Sequence, residues 1–418
     1  MVMYTVEEDY RAVCAYLFVQ FPQYQRIGSG AYKSGLEGMA DLDRLLEHPH
    51  TRFRSIHVAG TNGKGSVSHM LAAILQEAGY RTGLYTSPHL FDFRERIRIN
   101  GVMISQEAVL SFVEQYRSWL DEWKPSFFEI TTAMAFDYFA QQKVDIAVIE
   151  TGLGGRLDAT NIIQPAWSVI TNIGLDHCEY LGNTLASIAA EKGGIIKANT
   201  PVVIGERDPQ TDPVFIQKAR EMRAPLYFAE DAFKDRWKEY PTDLAGLYQQ
   251  KNIPVVLQAL DLFRPVVPEA AIKTGIKYAA RLTGLRGRWE CIAQNPRVIV
   301  DAAHNAHGLK WAVAQLQREP YQKLHIVLGV VVEKDLRSIL PILPKDASYY
   351  FTQAQIPRAL DAYVLAEQCK KEGLYGVIAD KVPEALTTAI KNAHADDLIF
   401  VGGSIFVVAE ALATNNQD

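Results

Sequence analysis

The chain has 418 residues, 48% of them hydrophobic, with 43 Lys and Arg against 48 Asp and Glu and a formal net charge of −5. That length and apolar content suffice for two or three domains with sizeable cores, and the acidic balance offers no bulk positive charge that points to a polyanionic partner such as nucleic acid. No apolar run approaches the ~18 residues of a membrane span, Met1–Tyr10 is acidic with no apolar stretch of the signal-peptide kind, and Cys14, Cys178, Cys291 and Cys369 are scattered, so the expectation is a reduced, cytoplasmic protein with no membrane partner.

From Arg54 onward, short apolar runs alternate with helix-period segments. Strands are predicted at Ser55–Val58, Gly83–Tyr85, Asp145–Glu150, Trp167–Thr171 and Pro201–Gly205, a spacing that implies a mostly parallel sheet covered by helices. Ligands of such sheets sit at the carboxyl ends of the strands. After the first strand come Gly60-Thr61-Asn62-Gly63-Lys64-Gly65-Ser66, opening a helix with Val67, Met70, Leu71, Ile74, Leu75 and Ala78 on one face and Gly79 as its stop. Glycines let backbone N–H groups converge on phosphate oxygens, Lys64 can neutralise the terminal phosphates, and the Ser66 hydroxyl can ligate Mg²⁺. The loop departs from the usual P-loop pattern in being shorter and in placing Gly65 between the lysine and the hydroxyl; a plain glycine turn with a surface lysine is the alternative.

The row Arg94, Arg96, Arg98 alternates with Ile97 and Ile99, predicting a strand with one basic face, suited to a polycarboxylate substrate or simply to a solvated edge. The third strand ends in Glu150, a position that holds Mg²⁺ in P-loop folds or else faces solvent. Gly152, Gly154 and Gly155 follow, then the polar loop Arg156–Asn161. Past the fourth strand lie Asp176 and His177, the latter a metal ligand or a surface histidine. Lys192, in a helical stretch predicted over Ile188–Lys197, reads by itself as a solvated lysine.

Leu282–Arg288 is rich in Gly and Arg and separates two folded-looking halves, so domains are predicted over 1–284 and 285–418. The second half carries strands at Val298–Asp301, His325–Val330, Tyr349–Thr352 and Leu398–Val401, with helices near Leu309–Leu316, Val364–Lys371 and Pro383–Asn392. It is a smaller Rossmann-like domain with no G-x-G-x-x-G. Asp301 to Asn305 again put polar groups at a strand end, for a metal or catalytic dyad or for a nucleotide contact.

Taken together, HVAGTNGKGS, LYTSPHL with FRERI, IETGLGGRLDATN, LDHCEYLGNTLASIAAEKGGIIK, LYQQKN, GLRGRWE, VDAAHN and VGGS resemble folylpolyglutamate and dihydrofolate synthases, the folate branch of the Mur ligase superfamily. The motifs stand in family order from about Ile56 to the last strand. The resemblance implies an α/β fold, a P-loop Mur-ligase central domain followed by the Rossmann-like one. It also implies an ATP-dependent ligase that phosphorylates a substrate carboxylate and lets the amine of L-glutamate attack the acyl phosphate, on dihydropteroate or a reduced folate. By the same resemblance Gly60–Ser66 hold the phosphates, and Ser87, Glu150 and His177 ligate Mg²⁺. Lys192 is carbamylated, so its amine needs a lowered pKa. Asn252 and Arg288 contact base and phosphate, Asp301 and His304 complete the ATP site, and Arg96 and Ser404 handle substrate. Asp158 accepts from the pterin in bifunctional members; alternatively it caps its own turn. The resemblance further implies a monomer. Ala302 stands where the family has Gly, and R-G-R-W-E where P-G-R is commoner.

A peptidoglycan Mur ligase carries a UDP-sugar domain ahead of its P-loop, for which the stretch before Ile56 is too short. A P-loop kinase or GTPase conflicts with the Lys-Gly-Ser order and with the absence of N-K-x-D after the fourth strand. A nucleotide-binding scaffold has no use for Lys64, Glu150, His177, Lys192 and Asp301 together.

Overall fold

The computed structural model describes residues 6–21 and 35–415. The chain separates into two compact units: one runs to Asp243 and resumes over Gln249–Leu285, the other takes in Leu244–Tyr248 and runs on from Arg286.

In the first unit β1 (Arg54–Ala59), β2 (Thr82–Tyr85), β3 (Ile97–Ile99), β4 (Val102–Met103), β5 (Ile146–Glu150), β6 (Trp167–Ile170), β7 (Val202–Ile204) and β8 (Leu226–Phe228) form one sheet in the order β4-β3-β2-β5-β1-β6-β7-β8. The pairings are parallel except at the β2–β3 and β3–β4 edge. Ser55 to Ala59 and the whole of β5 are buried, as expected of strands covered on both faces. β1 lies between β5 and β6, with Val58 opposite Glu150 and Ala59 opposite Ile170. The connections from β1 and β5 leave on opposite sides, so the crevice at their carboxyl ends is the ligand-binding position of this topology. One core layer gathers Tyr85, Ile97, Phe136, Phe139 and Ile149; another gathers Ala59, Ile170, Ile204 and Phe215.

The second unit has a sheet in the order β13-β12-β11-β14-β10-β9, from β9 (Glu290–Gln294), β10 (Arg297–Asp301), β11 (Leu324–Leu328), β12 (Ser348–Phe351), β13 (Gly376–Ile378) and β14 (Leu398–Gly402). β9 alone runs antiparallel to its neighbour. Ile326, Leu328, Tyr349, Phe351, Leu398 and Phe400 centre its core. Among the described residues no helix is long and apolar enough to cross a membrane.

Three expectations are corrected. The helix after the glycine loop, Lys64–Glu77, is buried from Ser66 to Leu75 on every side rather than on one face, because Glu269–Lys277 packs on it with Gly275 against Ile74. Each of its buried large side chains contributes roughly 1.5–3 kcal/mol. Arg94–Ile99 is not one strand: Phe93–Arg96 is a 3₁₀ turn started by an Asp92/Glu95 capping box, and only Ile97–Ile99 pairs. The helix at Lys192 stops there, Leu185–Lys192, and Gly193–Ile195 continues as a 3₁₀ turn.

Candidate active site

The Gly60–Ser66 loop is braced by the chain that follows β6. Thr61 N donates to Asn172 O at 2.9 Å, Asn62 N to Asn172 Oδ1 at 2.9 Å, Thr171 Oγ1 to Asn62 O at 2.6 Å, and Thr61 Oγ1 to Gly174 O at 3.1 Å. Gly60 and Gly63 both have positive φ, and a Cβ on either would run into Thr171 or Asn252, so a side chain at either position is strained. Gly63 is the N-cap of the helix from Lys64 and gives it no side-chain cap. An uncapped helix N-terminus presents N–H groups and a positive dipole end, the requirement for holding phosphate. Gln249 Nε2 donates to Ser66 Oγ at 3.2 Å, and Asn252 Nδ2 to Gln249 Oε1 at 2.8 Å. Gly65 is the second residue of the helix.

Two lysines meet on one carbonyl. Lys64 Nζ donates to Gly60 O at 3.1 Å and to Thr61 O at 3.3 Å, while Lys192 Nζ donates to Gly60 O at 2.8 Å. Lys192 is 4% exposed, so it is not the solvated lysine its sequence context suggests. Burial, with the charge of Lys64 adding, lowers its pKa to about 7, which leaves a sizeable neutral fraction at neutral pH.

Glu150 is buried at the end of β5, and Ser87 N donates to its Oε2 at 3.3 Å, so Ser87 and Glu150 are brought together at the strand ends. His177 is half-buried in a left-handed conformation as the N-cap of Cys178–Leu181, five residues beyond the Asn172 that braces the glycine loop. Among the described residues no three His, Cys, Asp or Glu side chains form a ready metal cage. The donors present, a serine, one buried carboxylate and one imidazole, suit a divalent ion that also takes phosphate oxygens.

The Asp158 carboxylate is engaged within its own loop. Its Oδ2 accepts from Gly152 N and Leu153 N, both at 2.8 Å. Its Oδ1 accepts from Thr160 N at 3.0 Å and from the Thr160 hydroxyl. Burial pushes this carboxyl up, and those four hydrogen bonds pull against it. A carboxylate has about four acceptor positions, and here all are taken in ordering Gly152–Asn161. Arg96 is 3% exposed, donates from Nε to His89 Nδ1 at 2.8 Å and lies over the Phe127 ring. It is therefore an interior cation, and Arg98 too is buried; the basic face is not a solvated edge.

In the second unit Asp301, 1% exposed, accepts from Tyr248 OH at 2.7 Å, Trp289 N at 2.8 Å and Ala303 N at 2.8 Å. Burial raises its pKa; the hydrogen bonds and the charge of Arg288 oppose this. His304 Nδ1 contacts Ala302 O at 2.9 Å, and Arg288 Nη1 donates to Gly287 O at 3.2 Å. Ser404 is buried and accepts Phe406 N at 3.2 Å, which makes it a cap for Ile405–Asn415. Thr171, Asn172, Gln249 and Tyr248 were missed by residue reading. The first two obey the strand-end rule already applied to Glu150; the others show no signal beyond standing in the LYQQKN segment.

Two family models match the chain: the Mur ligase middle domain over residues 58–253 and the Mur ligase glutamate ligase domain over 287–405. The chain is 33% identical over 414 residues to a dihydrofolate synthase/folylpolyglutamate synthase of Bacillus subtilis, covering 90% of this chain and 94% of that one. It superposes with a TM-score of 0.86 and 29% identity on Escherichia coli FolC in complex with DHPP and ADP, covering 99% of both chains. It also superposes with a TM-score of 0.84 and 30% identity on the bifunctional folylpolyglutamate synthase/dihydrofolate synthase of Yersinia pestis complexed with AMPPNP and Mn ion, covering 99% of this chain and all of that one.

Proposed function

Because the chain belongs to the Mur ligase family, in its folylpolyglutamate synthase/dihydrofolate synthase branch, we propose that it joins L-glutamate to both dihydropteroate and reduced folates through an acyl phosphate, as a cytoplasmic monomer. The observation that carries the ligase reading is the glycine loop: an uncapped helix N-terminus, two glycines without room for a side chain, and Lys64 poised on the loop's own carbonyls. The UDP-sugar ligase alternative is disfavoured by near-full-length relatives that are folate enzymes.

In this reading the acceptor carboxylate attacks the terminal phosphorus of ATP and ADP leaves. The glutamate amine then attacks the acyl carbon, phosphate departs, and the amine loses a proton. Lys64 and the loop N–H groups bind and neutralise the phosphates as charge develops. We assign Ser87, Glu150 and His177 to the divalent ion, which when bound supplies charge neutralisation on the phosphate oxygens. Arg96 is assigned to substrate, Asn252, Arg288, Asp301 and His304 to the nucleotide. Ser404, already engaged as a helix cap, and Asp158, already engaged in its loop, support their neighbours. The two domains are taken to be the two units, which puts Leu244–Tyr248 with the second.

Lys192 is proposed to be carbamylated: its neutral amine adds to carbon dioxide, a C–N bond forms and a proton is released. The amine's burial and lowered pKa support this. Phosphate release from ATP, measured with L-glutamate and either dihydropteroate or tetrahydrofolate, tests the whole reading. Release that ignores both acceptors defeats the ligase; release with tetrahydrofolate alone defeats only the dual function.

A further inference from the structure

We propose that Tyr248 is a positioning residue for Asp301, and that Leu244–Tyr248 is the bracket holding that carboxylate in one orientation. The proposal rests on the assignment of Asp301 to the nucleotide chemistry. Two of the three donors on Asp301 are backbone groups, Trp289 N and Ala303 N; among the described residues Tyr248 is the one side chain that donates to it. The phenol reaches it from 53 residues upstream, from a stretch that leaves the first unit's sequence to pack in the second.

The bracket is itself built. Gln315, buried on the helix Ala306–Leu316, donates from Nε2 to Ala245 O at 2.9 Å and accepts Leu247 N at 2.6 Å. One side-chain amide thus pins the backbone on both sides of Gly246, much as a strand neighbour would. Gly246 lies against the Tyr248 ring, and a Cβ there would fall 2.4 Å from Tyr248 Cζ. The glycine therefore permits the ring position from which the hydroxyl meets Asp301. On the other side Trp289 adopts φ 49°, an uncommon conformation for a bulky residue, and its N–H ends on the same carboxylate oxygen. The residue after Tyr248 is Gln249, which in the first unit donates to Ser66 of the glycine loop. Consecutive residues thus serve the phosphate loop and Asp301.

The charged groups around Asp301 are few. Arg288 favours its ionised form, and His304 follows three residues on. Glu290 on β9 is tied to Arg286 and Gly287 N, β14 places Gly402 opposite, and Glu410, on the helix Ile405–Asn415 packed against β10, is bonded to Gln355 N. The phenol stays protonated, since burial and the facing carboxylate raise its pKa. A donor to the charged form lowers a carboxyl's pKa, so removing the hydroxyl should move Asp301 upward.

The test compares pH profiles of glutamate-dependent phosphate release for wild type, Tyr248→Phe, Gly246→Ala and Asp301→Asn, with the melting temperature of each. Tyr248→Phe and Gly246→Ala should both move the acid limb to higher pH by about half a unit to one unit. That is roughly three- to tenfold less activity on the acid side, with rates converging on wild type above it. Superimposable profiles for wild type and Tyr248→Phe, with Asp301→Asn inactive, would overturn the role of Tyr248 and leave that of Asp301. Full activity in Asp301→Asn would overturn the nucleotide assignment and this proposal with it. A uniform loss at every pH that tracks a lowered melting temperature would reduce Tyr248 to a packing residue. Should Tyr248→Phe not fold, Gly246→Ala decides by the same criteria.

Discussion

The loops after β1 and β5 each carry three glycines, yet they are held in opposite ways. Gly60–Ser66 is gripped from outside, by Thr171, Asn172 and the Asn252/Gln249 pair, and its lysine folds back on its own carbonyls. Gly152–Asn161 is gripped from inside, by the Asp158 carboxylate that occupies the N–H groups of Gly152 and Leu153. The first loop leaves a helix N-terminus for an incoming anion. The second carries its own carboxylate, which occupies the N–H groups of Gly152, Leu153 and Thr160. A glycine-rich turn at a strand end is therefore a phosphate site only where no side-chain carboxylate already fills it.

The largest effect expected from this contrast is at Lys64. Lys64→Ala should lower kcat by a hundredfold or more, the cost of one preorganised charge-assisted contact, while leaving the melting temperature near wild type, because the lysine anchors nothing outside its loop. Near-normal turnover would remove the loop from the mechanism. Asp158→Ala should do the reverse. It strands buried N–H groups, so stability falls by about 2–4 kcal/mol in chemical denaturation, and turnover of dihydropteroate and of tetrahydrofolate should fall together. Loss confined to dihydropteroate, in a variant as stable as wild type, would return the pterin contact to Asp158.

Lys192 belongs to the first loop's surroundings and brings a pH dependence. Its folded pKa, about 7, lies below the ordinary lysine value. Between pH 7 and roughly 10.4 the unfolded chain therefore holds the extra proton, and stability rises with pH. Against Lys192→Met, unmodified wild type should gain up to a few kcal/mol between pH 7 and pH 10; a constant difference would deny the burial of the charge. With ¹³C-bicarbonate, wild type should show a carbamate carbon resonance that Lys192→Met lacks, and its absence from active enzyme would end the carbamate proposal. The smallest effect is expected at Thr171→Val, which removes one brace from the first loop and should cost about 1 kcal/mol; a loss as large as that at Asp158 would erase the distinction between the loops.

Much of this was legible beforehand. β1, β5, β6 and β10 are largely apolar runs, as a strand buried on both faces requires, and β5 and β10 end in a carboxylate. β4, β8 and β13 were not, since two or three edge residues carry no period. Lys192 read as solvated, and the face carrying Arg96 could be read as a substrate surface or a solvated edge, because local pattern cannot say which charges the fold later covers. Asp158 could be placed at the site, but its task depends on four particular donors, two of them backbone groups. Tyr248 was invisible because its partner lies across a domain's worth of chain.

The assignment of Leu244–Tyr248 to the second unit bears on how this chain can be recombined with its relatives. A single crossover after Leu285 exchanges Asp301, Trp289 and Gln315 but leaves behind the tyrosine, glycine and backbone that meet them. Such hybrids would carry a mismatched bracket even where both parents are sound. Shuffling that moves residues 244–248 together with the C-terminal half keeps those partners in one parental set, which makes this short stretch the piece to track when second units are exchanged.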